Sequence, residues 1–434
     1  MNSIYIGLIG ILIFFVLIIV RMPIAIAMAV VGFGGLCLLT SPSAALSLLA
    51  TTMYDNFASY TLSVVPMFIL MGFFAYYSGI GSSLYQFAYK LVGHFPGGLA
   101  VATQMTCALF GAVSGSNTAT AATIGTIAIP EMRKYGYDAS LSTASIAAGG
   151  ALGVLIPPSV IFIVYGIATE QSIGKLFISG ILPGILLMIL YSLTIIFLVW
   201  RKPELGPPGP KSTWKETFAA LRGGLIEVFI IFVISLGGLY LGWFTPTEAG
   251  AVGAALVLVI CLLEKRLGWK EIRASITETT RTTAMIMFLV AGAILFGQFM
   301  AVSRIPFEVA DWAGNLPLPP FVIMGLIILI YLILGFFIDA LAMILLTIPV
   351  FYPIVIELNY DPIWFGVIIV LVCAAGVITP PVGVNVYIIK GVAKDVPLET
   401  IFRGIWPFLI ALIICIIILS IFPEIATYLP SLMR

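Results

Sequence analysis

The sequence predicts an all-α, polytopic membrane protein made of two inverted-topology repeats. Three observations indicate this fold: an apolar composition, a duplicated pattern of prolines and glycines, and an uneven distribution of cationic residues. Of the 434 residues, 61% are hydrophobic and 9% are charged, and the mean hydropathy is +1.18. Because soluble domains carry about 25% charged residues, we expect a lipid bilayer to surround this chain.

The remaining composition excludes several kinds of site. A net charge of +1 gives no reason to expect nucleic acid as a partner. The five cysteines lie apart in apolar runs without CxxC spacing, which is typical of small core residues rather than of disulfides or metal ligands: Cys37, Cys107, Cys261, Cys373 and Cys415. No Lys or Arg precedes Arg21, whereas a cleaved signal peptide needs positive charge before its apolar stretch. We therefore expect residues 4–20 to be a retained first span.

Residue types recur at an offset of 223 positions. The pairs are Pro23 and Pro246, Pro96 and Pro319, Pro130 and Pro353, Tyr137 and Tyr360, Asp138 and Asp361, Gly153 and Gly376, Pro157 and Pro380, and Pro158 and Pro381. A repeat this long indicates two copies of one structural unit. The predicted units are a first repeat at 1–200, a cytoplasmic linker at 201–223 and a second repeat at 224–434.

The linker is the longest polar, Pro-rich segment of the chain. Within it, Trp214, Phe218 and Leu221 recur at helical spacing beside Lys215, Glu216 and Arg222. This pattern predicts a short helix that lies on the membrane surface. A plain connection between the repeats is the alternative, and the two interpretations are compatible.

The distribution of Lys and Arg predicts the orientation of each repeat. Spans are expected near 4–20, 23–40, 61–78, 138–158 and 177–199, with a re-entrant hairpin at about 96–132. Five crossings place the ends of one repeat on opposite sides, so the second repeat must be inverted. With the linker inside, seventeen of the 20 cationic residues lie in inner loops, leaving Lys175, Arg304 and Arg434 outside. Both termini are then external.

A pair of adjacent prolines interrupts an apolar segment in each repeat. The stretches are GVLIPPSV at 153–160 and GVITPPVG at 376–383. Proline has no N–H group, so each pair leaves backbone carbonyls without helical partners. Within a bilayer such carbonyls must face protein, water or an ion. Inverted repeats with broken helices are typical of secondary transporters, whose ion and substrate sites lie near the middle of the membrane.

Each repeat also predicts a re-entrant hairpin. The first hairpin, at about 96–132, contains GAVSGSNTATAATIG, whose small and polar residues suit close helix packing, with a tip at Ser114 to Asn117. In the second hairpin, at about 319–355, Asp339 lies opposite Ser116 and is the only charged residue between Asp311 and Glu357. We expect Asp339 to be buried and functional. Both residues are also good helix N-caps, so a cap alone, or a cap and a site together, fits the pattern.

The paired hairpins and the GVLIPP and GVITPP breaks resemble the large membrane subunit (DctM-like) of tripartite ATP-independent periplasmic (TRAP) transporters over essentially the whole chain. This resemblance implies a sodium-driven, elevator-type importer of organic acids, such as C4-dicarboxylates or sialic acid, in the bacterial inner membrane. It also implies two partners, a small four-helix membrane subunit and a periplasmic substrate-binding protein.

The resemblance further implies two sodium sites, each where a hairpin tip meets its broken helix. One site would involve Ser114, Ser116, Asn117, Gly153, Ile156 and Pro158. The other would involve Gly335, Asp339, Gly376, Thr379 and Pro381. The substrate would bind near Ser116 and Asp339, and the cofactor is Na⁺.

Other functional classes fit the sequence less well. No phosphate-binding loop surrounds Gly174 and Lys175, as an ATP-driven pump would need. Ser114 and the single histidine, His94, lack the arrangement of an intramembrane protease, so no enzymatic activity is expected. A channel, or a stand-alone ion-coupled symporter or exchanger of organic anions, remains the open alternative.

Overall fold

The computed structural model describes residues 3–221 and 223–433, and within these residues the regular secondary structure is entirely helical. The first repeat begins with α1 (Ser3–Ile19), α2 (Ile24–Leu39), α3 (Pro42–Ala58), α4 (Val64–Tyr77), α5 (Ile80–Val92), α6 (Gly98–Ser114) and α7 (Asn117–Lys134). It continues with α8 (Ala139–Gly150), α9 (Leu152–Leu155), α10 (Val160–Thr169), α11 (Ile173–Ser179) and α12 (Ile181–Arg201).

Among the described residues, the linker forms one α-helix and a short 3-10 turn at Pro203–Leu205, and the second repeat forms ten α-helices. The linker helix is α13 (Trp214–Leu221). It is followed by α14 (Leu225–Tyr240), α15 (Pro246–Leu263), α16 (Trp269–Ser303), α17 (Ile305–Gly314), α18 (Pro320–Gly335) and α19 (Ala340–Glu357). The last elements are α20 (Pro362–Gly376), α21 (Val384–Val392), α22 (Leu398–Ile421) and α23 (Glu424–Ser431). Arg222 and Arg434, two of the cations used to predict orientation, lie outside the described residues.

Length and composition qualify several helices as membrane spans. Five described helical segments are long and apolar enough to cross a bilayer, or up to eight if each bent pair counts as one span. One of the bent pairs is the segment Ala139–Leu155 with Val160–Thr169, which turns by 41° at the first pair of prolines. The prediction of a polytopic, all-α protein with broken helices is therefore confirmed.

The 223-residue offset recurs in the helix bounds. Helices α7 and α19 each have 18 residues, and their first residues, Asn117 and Ala340, are one offset apart. Helices α8 and α20 begin after Asp138 and Asp361, and each of these aspartates accepts hydrogen bonds from two backbone N–H groups of its helix. The same capping chemistry thus starts the same element in both copies. The limits of the repeats at 200 and 224 stay predictions.

The two repeats differ at α3, where the first repeat has a bent pair of helices and the second has one continuous helix. No predicted span covers α3, which begins with the cap Ser41 and the helix-starting Pro42 and meets the next helical segment at an angle of 51°. Its counterpart one offset later is part of α16, a single helix of 35 residues. The expected span at 177–199 lies within the apolar helical segment Ile173–Arg201, which α11 and α12 form together. Periodicity alone did not distinguish a bent helix pair from a continuous one.

Two helical hairpins occupy the predicted positions. Hairpin 1 consists of α6 and α7, and hairpin 2 consists of α18 and α19. Hairpin 1 packs against α5, α8 and α12, and most of α6 is buried, including its polar residues Thr103, Gln104 and Thr106. Hairpin 2 packs on α20 and α17, but only five residues of α18 are buried. The first hairpin therefore lies deeper inside the protein.

Candidate ion and substrate site

The tip of hairpin 1 is a glycine turn followed by a capped helix. Gly115 has a φ of +60°, which glycine adopts without steric cost, and a Cβ there would lie 2.6 Å from the carbonyl oxygen of Pro158. Ser116 then caps α7, because its Oγ accepts a hydrogen bond from the Ala119 N–H at 3.3 Å. The backbone carbonyl of Ser116 accepts a 2.7 Å hydrogen bond from the Thr120 hydroxyl. The cap predicted at Ser116 is present.

Hairpin 1 touches the first broken helix, α8 to α10, backbone to backbone. A Cβ on Gly153 would lie 2.7 Å from the Ser116 carbonyl oxygen and 2.5 Å from Thr120 Oγ1. A Cβ on Gly111 would lie 2.9 Å from the Cα of Gly153. These are shorter than contacts that real Cβ atoms make, so only glycine lets the hairpin approach the break this closely.

The first break exposes carbonyls inside the protein. Helix α9 ends at Leu155, and α10 begins after the cap Ser159. Between them, Ile156, Pro157 and Pro158 are buried. Within residues 3–221 and 223–433, no backbone or side-chain group donates a hydrogen bond to these three carbonyls. A buried carbonyl without a partner is costly, so a cation or ordered water would stabilise this segment.

The residues of the first predicted sodium site lie together where hairpin 1 meets the first break. They differ in whether the backbone or the side chain faces that break. Gly153 touches the Ser116 carbonyl, and the Pro158 carbonyl faces the turn at Gly115. The Ser114 hydroxyl pairs with Thr120 Oγ1 at 3.0 Å. Asn117 borders a large cavity between the two hairpin tips. The side chain of Ile156 packs against Gly184, so only the backbone of Ile156 is available as a ligand.

The tip of hairpin 2 repeats this arrangement with a carboxylate. Asp339 caps α19 through a 3.1 Å hydrogen bond from the Leu341 N–H to Oδ2. Gly376 of the second broken helix, α20 and α21, touches Gly335, since a Cβ on Gly376 would lie 2.9 Å from the Gly335 carbonyl carbon. A cavity of about 10 Å³ lies at this contact. That volume suits one water-sized particle.

The second predicted set is only partly assembled. Gly335, Asp339 and Gly376 border the small cavity, whereas Thr379 and Pro381 do not. The Thr379 hydroxyl instead donates to the Ala375 carbonyl at 2.9 Å, and Pro381 is exposed. This half of the site is more open than the first.

The expectation that Asp339 is buried is wrong. Its side chain is exposed, because hairpin 2 packs less deeply than hairpin 1 and its tip faces a cavity. An exposed carboxylate keeps its hydration and does not need a buried counter-charge. Asp339 thus avoids the penalty that a fully buried aspartate would incur.

One cavity of about 490 Å³ separates the two hairpin tips. Residues of the first tip, Ser114 to Ala119, border one side, and Asp339 to Leu341 border the other. Glu278 of α16 and Asp339 are the charged residues among the described lining, which contains no Lys or Arg. A bound carboxylate would therefore rely on hydroxyl and amide groups and on the N-termini of α7 and α19.

The oxygen-rich breaks suit a hard cation better than a transition metal. Among the described residues, no three His, Cys, Asp or Glu side chains converge on one point. The available ligands are backbone carbonyls, hydroxyls and the Asp339 carboxylate, which are the groups that unwound transporter helices offer to Na⁺. The residues present therefore fit sodium.

Asn385 is a residue that the sequence analysis did not identify. It is fully buried, and its Nδ2 donates to the Ala147 carbonyl of α8 at 3.0 Å. Its backbone N–H donates across the second break to the Val377 carbonyl at 3.0 Å. The available signal was a lone asparagine in the apolar run VGVNVYII. Asn385 joins the two broken helices.

A family model now identifies the chain. The model, described as "Tripartite ATP-independent periplasmic transporter, DctM component", matches residues 11–425. The chain belongs to the DctM family. The resemblance inferred from the paired hairpins and breaks is confirmed. The family is one of membrane transporters rather than enzymes, so the prediction that the chain is not an enzyme is also confirmed.

Curated relatives of the DctM family carry several substrate names. The chain is 38% identical over 395 residues, 91% of each protein, to the C4-dicarboxylate TRAP transporter large permease protein DctM of Pseudomonas aeruginosa. It is 33% identical over 412 residues, 95% of each protein, to the sialic acid TRAP transporter large permease protein SiaM of Vibrio cholerae. It is 34% identical to the isethionate TRAP transporter permease protein DctMQ of Oleidesulfovibrio alaskensis, covering 96% of this chain and 64% of that protein.

A solved structure supports the fold. The YdaH transporter of Alcanivorax borkumensis aligns with a TM-score of 0.63 at 16% identity, over 88% of this chain and 89% of that chain. At this identity the likeness shows the fold alone. The class of multi-pass membrane transporter rests instead on the family match and on the apolar helices of the described residues.

Proposed function

We propose that this DctM-family chain is the large membrane subunit of a sodium-coupled, binding-protein-dependent importer of organic acids, with C4-dicarboxylates as the first candidates. The observation that carries the proposal is the large cavity shared by two capped hairpin tips, each tip lying against a broken helix. In such an arrangement one cavity can take the substrate, while the two tip contacts take cations.

Sodium coupling is supported by the unpaired oxygens. The carbonyls of Ile156, Pro157 and Pro158 have no donor among the described residues, and Asp339 borders both the small cavity and the large one. A cation at Asp339 would reduce the negative potential that a carboxylate substrate meets in the large cavity. Cation and substrate would then bind more tightly together than either does alone, which is the requirement for symport.

An organic acid is supported by the shape and chemistry of the lining. A volume of about 490 Å³ lies within the range of small-molecule sites. The N-termini of α7 and α19 face a cavity without cationic side chains, and helix N-termini favour anions. The relatives named for C4-dicarboxylate and sialic acid transport both carry acids, and sialic acid or a similar carboxylate is the next candidate.

The remaining features of the proposal concern assembly and movement. We infer two inverted repeats in the bacterial inner membrane with both termini periplasmic, because the predicted spans would place most Lys and Arg residues on the cytoplasmic side. Hairpins and broken helices would move together as an elevator past α4 and α16, which form the opposite wall of the large cavity. A small four-helix membrane subunit and a periplasmic substrate-binding protein would complete the transporter.

Transport by proteoliposomes tests the coupling. The chain would be reconstituted with its small membrane subunit, and its binding protein loaded with labelled succinate would be added outside. Uptake should require an inward sodium gradient and no ATP. Equal uptake driven by potassium in the absence of sodium would contradict the proposal, and uptake without the binding protein would indicate a stand-alone symporter or exchanger instead.

Cysteine labelling tests the inversion. Lys134 ends α7, and Glu357 ends α19 one offset later. In an inverted pair these positions lie on opposite sides of the membrane. Single cysteines introduced at the two positions should therefore react with a membrane-impermeant reagent from opposite sides, whereas labelling from the same side would exclude inversion.

A further inference from the structure

Another concave site shares no residue with the large cavity between the hairpin tips, which we call the transport cavity. It is a pocket of about 460 Å³ between the end of α5, the base of hairpin 1 and the linker, and we call it the linker pocket. Its lining consists of Lys90, Leu91, His94, Phe95, Lys211, Ser212, Trp214 and Thr217. None of these residues borders the transport cavity.

Hydrogen bonds hold the linker against the hairpin base and so fix the walls of the linker pocket. The Gly209 N–H donates to the Gly93 carbonyl at 2.9 Å, and the Gly97 N–H donates to the Gly206 carbonyl at 2.8 Å. Within α13, the Thr217 hydroxyl lies 3.5 Å from the Lys90 carbonyl. The pocket is therefore formed by backbone contacts rather than by a loose connecting loop.

The charge of the linker pocket is positive. Lys90 and Lys211 contribute two ammonium groups to the lining, which includes no Asp or Glu. Neither lysine forms an ion pair with any of the described residues. The nearest acid along the linker, Glu216, accepts a hydrogen bond from the Thr213 N–H at 3.1 Å. A concave surface with unpaired ammonium groups attracts a compact anion such as a phosphate.

The surroundings of the linker pocket are apolar and exposed. Trp214, Phe218 and Phe95 have 73%, 63% and 56% of their surface accessible. Trp214 and Phe218 also pair with each other, with ring centroids 6.2 Å apart. Aromatic side chains beside cations are typical of the membrane interface, and basic pockets at this level bind anionic headgroups.

We propose that the linker pocket binds the phosphate-bearing headgroup of an anionic phospholipid from the cytoplasmic leaflet. Lys90 and Lys211 contact the phosphate, and the acyl chains lie along the exposed aromatic rings. A free phosphate ion uses the same cations but leaves these rings without a partner. The bound lipid fixes α13 on the bilayer surface and so anchors the connection between the repeats beside hairpin 1.

A second surface pocket supplies a matched control. Trp269, Lys270 and Arg273 border a pocket of about 420 Å³, but Glu278 is also part of its lining. This pocket has a similar size and also combines a tryptophan, a threonine and two cationic residues, with a carboxylate added. It should bind an anionic headgroup much more weakly, because the carboxylate repels the phosphate.

Lipid binding to the intact transporter tests the proposal. The full chain with its small membrane subunit would be purified in a neutral detergent, and binding of short-chain phosphatidylglycerol would be measured by native mass spectrometry. Each of the two lysines attracts the anionic headgroup. The double variant Lys90→Gln and Lys211→Gln loses both attractions and should bind roughly thirtyfold more weakly. Lys270→Gln should leave binding unchanged, as should the charge-conserving Lys211→Arg.

Further arms separate the source of the phosphate. Trp214→Ala should weaken phosphatidylglycerol binding, and inorganic phosphate at the same concentration should not compete with the lipid. Equal competition by inorganic phosphate would replace the lipid with a free anion. Equal loss of binding in Lys270→Gln would show a non-specific charge effect, and lipid binding by the chain alone that disappears in the complex would show that the small subunit covers the linker pocket. Each of these results overturns the proposal.

Discussion

Both hairpin tips border the large cavity, but hairpin 1 ends in neutral, partly buried hydroxyl and amide groups, whereas hairpin 2 ends in an exposed carboxylate. Ser114 is buried and Ser116 is partly buried, and their hydroxyls pair with Thr120 and Thr118. Asp339 is exposed and bonds only to the backbone of its own helix among the described residues. The breaks differ in the same way, since the first pair of prolines is buried and the second pair is exposed.

Ser116 and Asp339 occupy equivalent positions in the two repeats, but their surroundings differ. Equivalence in the repeat therefore does not determine what a residue does. A packed tip must pair its polar groups internally, because an unpaired polar group is costly in a dry interior. An open tip can retain a charge, because water and ions reach it. At the first tip the carbonyls without donors therefore belong to the adjacent proline break, whereas the second tip presents a carboxylate that also caps its helix.

The largest effect is expected from filling the glycine contacts that bring each tip to its break. Gly153→Ala places a methyl group 2.7 Å from the Ser116 carbonyl oxygen, and Gly376→Ala places one 2.9 Å from the Gly335 carbonyl carbon. Displacing a binding site by about 1 Å costs about a hundredfold in rate. Initial uptake of labelled substrate should fall by about that factor in both variants.

The same two substitutions should also lower the stability of the folded chain, by different amounts at the two tips. Gly153→Ala should also destabilise the folded chain by about 1–3 kcal/mol, because overpacking of a buried contact has nowhere to relax. Gly376→Ala should cost less, because α18, which carries Gly335, has fewer buried residues than α6 and can shift away more easily. Gly325→Ala is the control, because no atom lies within 4 Å of a Cβ at that position. Thermal denaturation in detergent measures the difference, and equal destabilisation would contradict the contrast between the tips.

The next largest effect separates charge from capping at the two tips. Asp339→Asn removes a charged ligand, and interactions with charged groups contribute about 1.5–3 kcal/mol, so the sodium concentration for half-maximal uptake should rise about tenfold or more. Ser116→Ala removes one neutral oxygen and should raise it only about threefold. Initial uptake rates measured against sodium concentration give both values.

An unchanged sodium response in Asp339→Asn would reverse this interpretation. Asparagine caps helices about as well as aspartate, so the variant preserves the cap and changes only the charge. Asp339 would then be a cap alone. The proposed second cation site would then depend on backbone carbonyls alone.

A smaller effect is expected where the two broken helices meet. Asn385→Ala removes the hydrogen bond to the Ala147 carbonyl and leaves a buried acceptor with one partner fewer, which costs about 1–3 kcal/mol of stability. Asn315→Ala is the matched control, since Asn315 is exposed and bonds within its own helix. Chemical denaturation of both variants should show a loss only for Asn385→Ala.

The sequence was sufficient for the parts of the fold that depend on local chemistry. Pro157 and Pro380 cannot continue a helix, and Ser116 and Asp339 start one, so the breaks and tips could be located from residue types. The exposure of Asp339 could not, because it depends on how deeply hairpin 2 packs against other helices. The bond from Asn385 to Ala147 also escaped, since it joins residues 238 positions apart.

The smallest effect is expected from an ion pair that links the base of hairpin 1 to the segment after the second broken helix. Arg133 Nη2 lies 2.7 Å from Asp395 Oδ1, and both side chains are substantially exposed. The hydrogen bond from the Arg133 guanidinium lowers the pKa of the Asp395 carboxyl below its ordinary value of 3.8. The ion pair therefore contributes stability above pH 3.8, and this contribution is lost as the pH falls through the lowered pKa.

Asp395→Asn tests whether this ion pair couples the base of hairpin 1 to the second broken helix or is only a weak surface contact. Because exposed ion pairs are weak and screened by salt, the variant should lose less thermal stability at neutral pH than Asn385→Ala. The difference from the unmodified chain should shrink in high salt and disappear at a pH where Asp395 is protonated. Uptake should be unchanged, since the pair lies outside both tips. A large loss of uptake with normal stability would instead show that the base of hairpin 1 and the second broken helix must remain in contact during transport. The difference between the two tips would then explain only part of the mechanism.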